Sequence, residues 1–583
     1  MINIEDRKML VSTALGREPL DLVIDDVKIV DVYTGFIRDG ALGIKNDYIV
    51  TLEPKGLDTK EVKEGKGQFA FPGFIDSHVH LDSSLVTPEN LAELIVPRGT
   101  TVMLADPMES ANVGGIAGLK ALLSGSDTLP YHLFLEVSSR VPTAPGLETT
   151  GGTLDLEQVR EIIKWDSSIS LGELDPSKIL GFRDEYYKKV EVAHRLGKIA
   201  NGHAAGIHGR ELEAYVCGGL SDDHECVNYE EALERLRVGL PIFIREGSTE
   251  RNLEPIITGV VNQDIDTRHL MFCTDDKHPD DLLAEGHIDF MVNRSISLGV
   301  PPIKAIQMAT INAAVHFRVD GYLGSLSPGR WADIILAPEI ENIVPNEVYH
   351  RGELVAEKGK LIDEPPAVNY PSWFSDTVKI SSGNVPGDFK LASSGNKSKL
   401  RVIELYPDQI INRFGQAELP VSMGNVLSDV DQDVLKIAVV ERYGKNGNIG
   451  ISFVKGFGLK RGALASSVAH DHHNIIVAGT NENDMALCVR AIDEMRGGLV
   501  LAAEGKVMDR IPLPLGGLMN RGSSREIIHA LDRINDSYQE LGGTLPSPFM
   551  TISFISLPTV PEAGLTDKGL VDVRRHELIS PFV

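Results

Sequence analysis

The chain has 583 residues, 42% of them hydrophobic and 24% charged, so it is long enough for two or three globular domains and its composition excludes a disordered or fibrous protein. Its formal net charge is −26, and such a surface repels a phosphate backbone, so we expect no nucleic-acid partner. A small-molecule substrate that binds in a metal-lined cleft fits this charge better.

The cysteines and the first residues indicate a cytoplasmic protein. Cys217, Cys226, Cys273 and Cys488 have no C-x-x-C spacing, and four thiols cannot brace a chain of this length, so we expect reduced thiols. The segment MINIEDRKML is charged and lacks the apolar stretch of a signal peptide. No apolar run is long enough to cross a bilayer, so no membrane partner is expected.

In chain order, short strands come first and then strands alternate with helices. LDLVIDDVKIVDV and ALGIKNDYIVTLEP predict a small β layer. Later runs such as GTTVMLADP, SISLGEL and HLMFCTDD predict buried parallel strands, and stretches such as NYEEALERLRVG predict helices between them; this helix has Asn228 as its N-cap and Gly239 after its last turn. Seven or eight such units predict an α/β fold with a (β/α)₈ TIM-like barrel.

Further strands follow the barrel. GSLSPGRWADIILAP and VYHRGELVAEKGK can rejoin the N-terminal β layer, and the Pro-rich segment IDEPPAVNYPSWF marks a boundary near residue 370. We therefore predict three domains: a composite β-sandwich of residues 1–68 and 319–364, the barrel of residues 69–318, and a C-terminal α/β domain of residues 365–583.

The clearest motif for chemistry is His78-x-His80 in PGFIDSHVHLD. Side chains two apart on a strand point to the same side, so both imidazoles can reach one ion. The motif ends the first predicted barrel strand, and in these barrels the chemistry takes place at the carboxyl ends of the strands. The candidate ligands on later strands, which are named next, each have another explanation when read alone: an exposed acid or a hydrogen-bonded histidine.

Four further metal-ligating side chains stand where later strands end. They are Glu173, His203, His224 and Asp275. Imidazoles together with carboxylates suit Mn²⁺, Fe²⁺ or Zn²⁺. Glu173 could bridge two ions, which would lower the pKa of a water between them, and Asp275 could take the proton of that water and pass it to a leaving group.

These motifs and their flanks resemble the adenine deaminase family of the amidohydrolase superfamily. The stretches that carry the resemblance are PGFIDSHVHLDSSLVTPENLAELIVPRGTTV, NGHAAG, SDDHE, IREGS and CTDDKHPDDL in the barrel, and GFGLKRGALASSVAHDHHNIIVAGTNENDMA with IPLPLGGLMNRGS near the C-terminus. The resemblance spans nearly the whole chain, and its C-terminal part is the more specific to this family.

The resemblance implies hydrolytic deamination of adenine to hypoxanthine in purine salvage, by a hydroxide bridging two divalent metal ions, with Mn²⁺ favoured over Fe²⁺ or Zn²⁺. It implies that all six side chains are ligands, with Glu173 at the bridging place where many relatives have a carboxylated lysine. Glu173 and Asp275 would be the catalytic pair. We also expect a homo-oligomer, since association of subunits is common for barrels.

One position departs from the pattern expected of the family. After the second barrel strand the family is expected to read Asp-Pro-His-Glu, whereas this chain has Met108 before Glu109. A methionine offers no useful hydrogen bond, so either the position is dispensable or the substrate differs.

Other polar residues have weaker signals. Glu109, Arg245 and Glu246 lie at strand ends and could contact the purine, although ion pairs at the barrel rim would explain them equally well. The dense segment from His470 to His473 is expected to have a structural or lid role rather than to bind a third metal ion.

Two other functions stay open on the sequence. The Met108 departure supports an amidohydrolase that acts on a cyclic amide or N-acyl compound, while the C-terminal resemblance argues against it. A non-catalytic structural relative should have lost ligands, and all six are present.

Overall fold

The N-terminal part of the structure, a computed structural model that describes residues 3–406, 411–560 and 562–583, is a helix followed by a β layer. The second strand pairs antiparallel to the first, and the fourth pairs parallel to it. The elements are α1 (Ile4–Ala14), β1 (Leu20–Asp31), β2 (Phe36–Lys45), β3 (Tyr48–Thr51) and β4 (Thr59–Pro72).

A closed parallel barrel follows. Its strands are β5 (Phe74–Val79), β6 (Thr100–Ala105), β7 (His132–Val137), β8 (Ser168–Leu174), β9 (Ile199–Gly202), β10 (Ile242–Arg245) and β11 (Leu270–Cys273). Strands β5 to β9 form one parallel sheet in that order, and β10 pairs with β11. The sixth position is an isolated parallel bridge between Asp223 and Ile242.

Backbone hydrogen bonds close the barrel between its last and first strands. The amide of His80 donates to the carbonyl of Asp275 at 3.0 Å, and the amide of Asp275 donates to the carbonyl of His78 at 3.1 Å. With the single bridge as the sixth strand, the barrel has eight strand positions, and the predicted (β/α)₈ fold is confirmed.

Helices connect the barrel strands on the outside. The predicted cap of α8 is confirmed, since the Asn228 side chain accepts from the amide of Glu231 at 2.9 Å. Gly239, two residues past the helix, has φ 82°, a conformation that favours glycine. The helices are α2 (Pro88–Ile95), α3 (Met108–Leu122), α4 (Leu156–Ile162), α5 (Pro176–Ile179), α6 (Asp184–Arg195), α7 (Gly209–Cys217), α8 (Tyr229–Arg237), α9 (Leu253–Asn262), α10 (Pro279–Ala284), α11 (Ile288–Ser297), α12 (Pro302–Met308) and α13 (Ile311–His316).

The strands after the barrel pair with the N-terminal layer. They are β12 (Ile334–Ala337), β13 (Glu347–His350), β14 (Glu353–Glu357) and β15 (Lys360–Leu361). Because β12 pairs antiparallel to β4, the strands before the barrel and the strands after it form one eight-stranded sheet. Its order is β15-β14-β13-β12-β4-β1-β2-β3.

The C-terminal region is a nine-stranded sheet with helices and a small three-stranded sheet. The nine strands lie in the order β18-β17-β16-β20-β19-β22-β21-β23-β24, and neighbours are antiparallel except β16 and β20. The elements are β16 (Lys397–Leu405), β17 (Asn412–Ser422), β18 (Asn425–Val426), β19 (Val434–Val440), β20 (Ile449–Lys455), β21 (Ala463–Ser466), β22 (Ile475–Gly479), α14 (Glu482–Met495), β23 (Gly498–Ala503), β24 (Lys506–Pro512), α15 (Ser524–Glu540), α16 (Pro548–Phe554), β25 (Ala563–Thr566), β26 (Gly569–Asp572) and β27 (Glu577–Ile579).

This region packs directly on the barrel. One hydrophobic cluster contains Leu91 and Ile95 of α2 together with Leu464 and Leu499 of the C-terminal sheet. The exact domain boundaries stay a prediction. Across the part of the chain that the structure describes, no helix combines the length and the apolar character needed to cross a membrane.

A polar cluster joins the amino end of the barrel to the β layer. The Asp333 carboxylate lies 2.9 Å from His132 Nε2 and 3.1 Å from His350 Nδ1, and it accepts from the amide of Arg351 at 3.0 Å. His132 is the first residue of β7, so this cluster lies at the end of the barrel opposite to the carboxyl ends of the strands.

We expect Asp333→Ala to lower the free energy of unfolding by about 3 kcal/mol, because it leaves buried donors without their acceptor. Urea unfolding measures this, with Asp363→Ala as the control, since Asp363 is exposed and its loss should change stability by less than about 0.5 kcal/mol. Equal stability of both variants would contradict the prediction.

Candidate metal centre

The barrel places the six predicted ligands at one rim. His78 lies in β5 with His80 just after it, and Glu173 lies in β8. His203 follows β9 directly, and Asp275 lies two residues after β11. His224 follows the bridged residue at the sixth strand position. Because carboxyl ends of parallel strands meet at one edge of a barrel, the six side chains converge although almost 200 residues separate the first from the last.

Glu173 stands at the centre of this group. Its Oε2 atom is 3.0 Å from His224 Nε2, 3.1 Å from His203 Nδ1 and 3.7 Å from His78 Nε2. Its Oε1 atom is 3.9 Å from His80 Nε2. Two atoms that each bind one ion at about 2.1 Å lie no more than about 4.2 Å apart, so all these separations are compatible with shared ligation.

Asp275 also lies close to the two histidines of the H-x-H motif, His78 and His80. Its Oδ1 atom is 3.5 Å from His80 Nε2 and 3.8 Å from His78 Nε2. The residues fall into overlapping sets, with Glu173 between the His78–His80 pair and the His203–His224 pair. Such a carboxylate has the position that bridging two ions requires.

Neighbouring groups orient the imidazoles of the H-x-H motif. His78 Nδ1 is 2.7 Å from Glu136 Oε2, and His80 Nδ1 is 2.9 Å from the carbonyl of Asp106. These contacts hold each Nδ1 on the far side of its ring and leave Nε2 for an ion. His78 Nε2 is buried and has no hydrogen-bond partner among the described residues, as expected of an atom that would bind a cation.

The site carries more buried negative charge than its arginines balance. Burial and the carboxylates of Glu173 and Glu136 raise the pKa of Asp106 to about 7, even though His80 opposes the shift. Burial lowers the pKa of His80 itself, but nearby carboxylates, Glu109 first, outweigh it and raise that pKa well above its usual value. Divalent cations would neutralise this excess, so the donor set and its charge both fit a metal centre.

Arg245 lies beside the candidate ligands. Its Nη1 atom is 3.0 Å from Asp275 Oδ2 and 2.7 Å from Glu225 Oε1, and its side chain lines the cavity above the metal centre. The predicted role in substrate binding therefore stays possible for this residue, together with a role in orienting Asp275.

Glu109 and Glu246 lie in different surroundings. Glu109 is fully buried, with Oε2 3.5 Å from His80 Nδ1. The Glu246 carboxylate accepts from the amide of Leu253 at 3.1 Å, at the start of α9. Neither Glu109 nor Glu246 is among the described residues that line the cavity. The structure brings Arg245 and Glu109 to the centre and directs the Glu246 side chain to a helix terminus.

Met108 does not leave a gap in the metal centre. Its side chain is buried in a hydrophobic cluster that includes Leu135, Val137 and Val141, on the side of α3 that faces β7. A position that packs into the core has no need of a polar side chain, which gives a physical reason for the methionine.

Among the charged residues at the site that the sequence reasoning missed, three contact candidate ligands directly. Glu136 contacts His78, Arg140 pairs with Glu173, and Glu225 lies 3.4 Å from both His203 and His224. Arg140 and Glu225 follow strand positions, so the same rule that found the ligands could have found them. Glu136 lies inside β7 and gave no such signal.

The C-terminal region forms the wall of the cavity opposite to the metal centre. His470 and Asp471 line it, together with Phe554, Leu557 and Val560. Asp471 Oδ2 is 3.4 Å from Arg140 Nη1. His470 and Asp471 therefore reach the candidate site. Glu109, His470 and His473 also lie close enough together to hold an ion, so the structural or lid role expected of the segment from His470 to His473 stays a prediction.

Both halves of the chain match known protein families. The amidohydrolase family matches residues 69–355, and the adenine deaminase C-terminal domain matches residues 409–577. An adenine deaminase of Desulforamulus reducens is 52% identical over 98% of this chain and 97% of its own. An adenine deaminase of Desulfatibacillum aliphaticivorans is 39% identical over 98% and 99%, and one of Staphylothermus marinus is 38% identical over 99% and 98%. The chain therefore belongs to the adenine deaminase family, and the resemblance seen in its sequence is confirmed.

Proposed function

We propose that this protein hydrolyses adenine to hypoxanthine and ammonia. The observation that carries the proposal is that the C-terminal region, which matches a domain named for adenine deaminases, lines the same cavity as the barrel's candidate ligands. An amidohydrolase barrel alone would be compatible with many cyclic amides. The reaction suggests purine salvage in the cytoplasm as its setting, and the homo-oligomer stays an expectation.

We infer that the six ligands hold two divalent cations, Mn²⁺ before Fe²⁺ or Zn²⁺. Four imidazoles and two carboxylates are ligands that these ions accept, and no thiol is among them. When bound, such cations lower the pKa of a coordinated water toward 7, so that a nucleophile is available at neutral pH. Glu173, with its two oxygens facing different pairs of histidines, would hold the spacing between the cations.

Asp275 has the properties of the proton carrier in this reaction. Burial raises the pKa of its carboxyl group, but His224 and Arg245 outweigh burial and hold that pKa well below its usual range, so the group is ionised and can accept a proton. One water adds its oxygen to C6 of adenine, and the bond from C6 to the amino nitrogen breaks. Asp275 passes one proton of the water to the departing amino group, which leaves as ammonia, and the other proton ends on N1 of hypoxanthine.

Asp275 is held in an unusual backbone conformation at this position. Its φ is 59°, in the left-handed region that Asp and Asn tolerate better than most residues. Together with the Arg245 contact, this turn aims the carboxylate at the H-x-H pair rather than along the strand.

Glu173→Gln should lower kcat/KM for adenine by at least about a thousandfold, which is about 4 kcal/mol of transition-state stabilisation, because an amide cannot bridge two cations. Ammonia release measures it. Glu213→Gln is the control, since Glu213 is exposed on α7. Wild-type protein that leaves adenine untouched but opens a cyclic amide would contradict the proposed substrate.

The purified protein, loaded with Mn²⁺ and freed of excess metal, should contain about two equivalents per chain by elemental analysis. Ammonia release should disappear on chelation and return with Mn²⁺, because the candidate centre has two ligand groups joined by Glu173. Fewer than one equivalent would favour a non-catalytic relative instead.

Glu136→Gln should weaken metal binding about 10- to 100-fold, because the carboxylate that orients His78 is replaced by a neutral amide. The measurement is metal retention against a competing chelator. Glu213→Gln again serves as the control, and unchanged retention in Glu136→Gln would show that His78 needs no such support.

A further inference from the structure

The cavity has two chemically different walls. The barrel supplies imidazoles, carboxylates and arginines, whereas Phe554, Leu557 and Val560 are the apolar side chains among the described residues that line it. A flat heteroaromatic ring needs an apolar surface against its face and a few polar groups at its edge. The C-terminal region offers that apolar surface, so the ring-binding part of the cavity belongs to it.

His470 is the polar group that accompanies this apolar wall. It is 2% exposed, and its ring stacks on Phe554 with 5.1 Å between ring centroids and an angle of 24° between planes. The amide of His470 donates to the carbonyl of Ser553 at 3.1 Å, and Ser556 Oγ donates to the carbonyl of His470 at 2.6 Å. The imidazole and α16 are therefore held as one unit.

The two ring nitrogens of His470 have different surroundings. Nδ1 is 3.3 Å from Glu109 Oε1. An ionised carboxylate accepts hydrogen bonds and donates none. Within the described part of the chain Nε2 is buried without a hydrogen-bond partner, and Asp276 Oδ1 lies 3.7 Å from it. A buried polar atom without a partner is costly, and here the residue lines the substrate cavity.

Carboxylate oxygens lie near both ring nitrogens of His470, an arrangement that favours the imidazolium form, in which both nitrogens are donors. Burial lowers the pKa of the imidazole, but the carboxylates of Asp276 and Glu109 outweigh burial and raise that pKa to about 9. Nδ1 lies beside the Glu109 carboxylate, and Nε2 is the ring nitrogen that has no hydrogen-bond partner among the described residues. The ring nitrogens of a purine that carry no hydrogen are hydrogen-bond acceptors, and one of them could accept a hydrogen bond from Nε2–H.

We propose that His470 binds the substrate, with Nε2–H donating a hydrogen bond to a ring nitrogen of the purine while Glu109 anchors Nδ1. The proposal rests on the proposed function for the identity of the ring. It makes His470 a substrate-binding residue contributed by a segment that lies almost 200 residues after the last ligand, so the barrel alone holds an incomplete site.

His470→Asn tests the contact, because the Asn amide can keep the Glu109 contact but does not reach the position of Nε2. In the metal-loaded protein we expect it to raise the calorimetric Kd for unsubstituted purine about 10- to 100-fold, as expected for loss of a hydrogen bond from a charged donor. His470→Gln, whose amide nitrogen reaches roughly to Nε2, should recover most of the affinity. His472→Asn is the matched control, since His472 is a fully buried imidazole of the same segment that does not line the cavity.

Purines that lack one ring nitrogen identify the contact. Of 1-deazapurine, 3-deazapurine and 7-deazapurine, the one that lacks the contacted nitrogen should bind to His470→Asn and to wild type with the same Kd, because the acceptor is already absent. Equal losses for purine and all three analogues, unchanged purine binding, or loss of metal that His470→Gln does not restore would overturn the proposal. Ammonia release from adenine by the wild type tests the proposed function separately, because purine has no amino group to lose.

Discussion

The hydrogen bonds that close the barrel are the constraint on which the site depends. The first strand and the last strand meet where the backbone of His78 and His80 exchanges hydrogen bonds with that of Asp275. The same ladder that completes the fold therefore sets the H-x-H motif beside the last carboxylate. A shift of register by one residue would turn both imidazoles away from Asp275, because successive side chains on a strand point to opposite sides.

The second constraint is electrostatic. Glu173, Asp275 and several other carboxylates are buried within a few ångströms of one another, and Arg140 and Arg245 compensate only part of their charge. Burying unpaired charge is expensive, so such a cluster is stable only with further positive charge in its midst. The raised pKa of Asp106 reflects that deficit. The cluster that costs folding energy is thus the one that would hold the cations.

The C-terminal region is part of the site rather than an addition to the barrel. Its hydrophobic core is continuous with that of α2, and Asp471 reaches Arg140, which in turn pairs with Glu173. The region thereby connects to the bridging carboxylate through one arginine and lines the cavity with Phe554 and its neighbours. The proposed function therefore divides between the two regions: the barrel would hold the cations, and the C-terminal region would meet the organic part of the substrate.

Local pattern was enough to predict the barrel and the six ligands of the candidate centre. Alternating strands and helices repeat along the chain, and His78-x-His80 is informative because the strand period of two is a local property. Glu173 and Asp275 stand at strand ends, which a sequence displays directly. The N-cap of α8 at Asn228 could be predicted for the same reason, because a helix cap is also a local pattern.

Tertiary structure alone decided which distant segments meet. The stacking of His470 on Phe554, the pairing of Arg140 with Asp471 and the packing of Met108 against the core depend on contacts between segments far apart in the chain. No periodicity or spacing encodes such contacts, because they follow from how whole elements pack. The sequence by itself therefore determined the barrel and the six candidate ligands at its rim, whereas the folded chain decided what surrounds them.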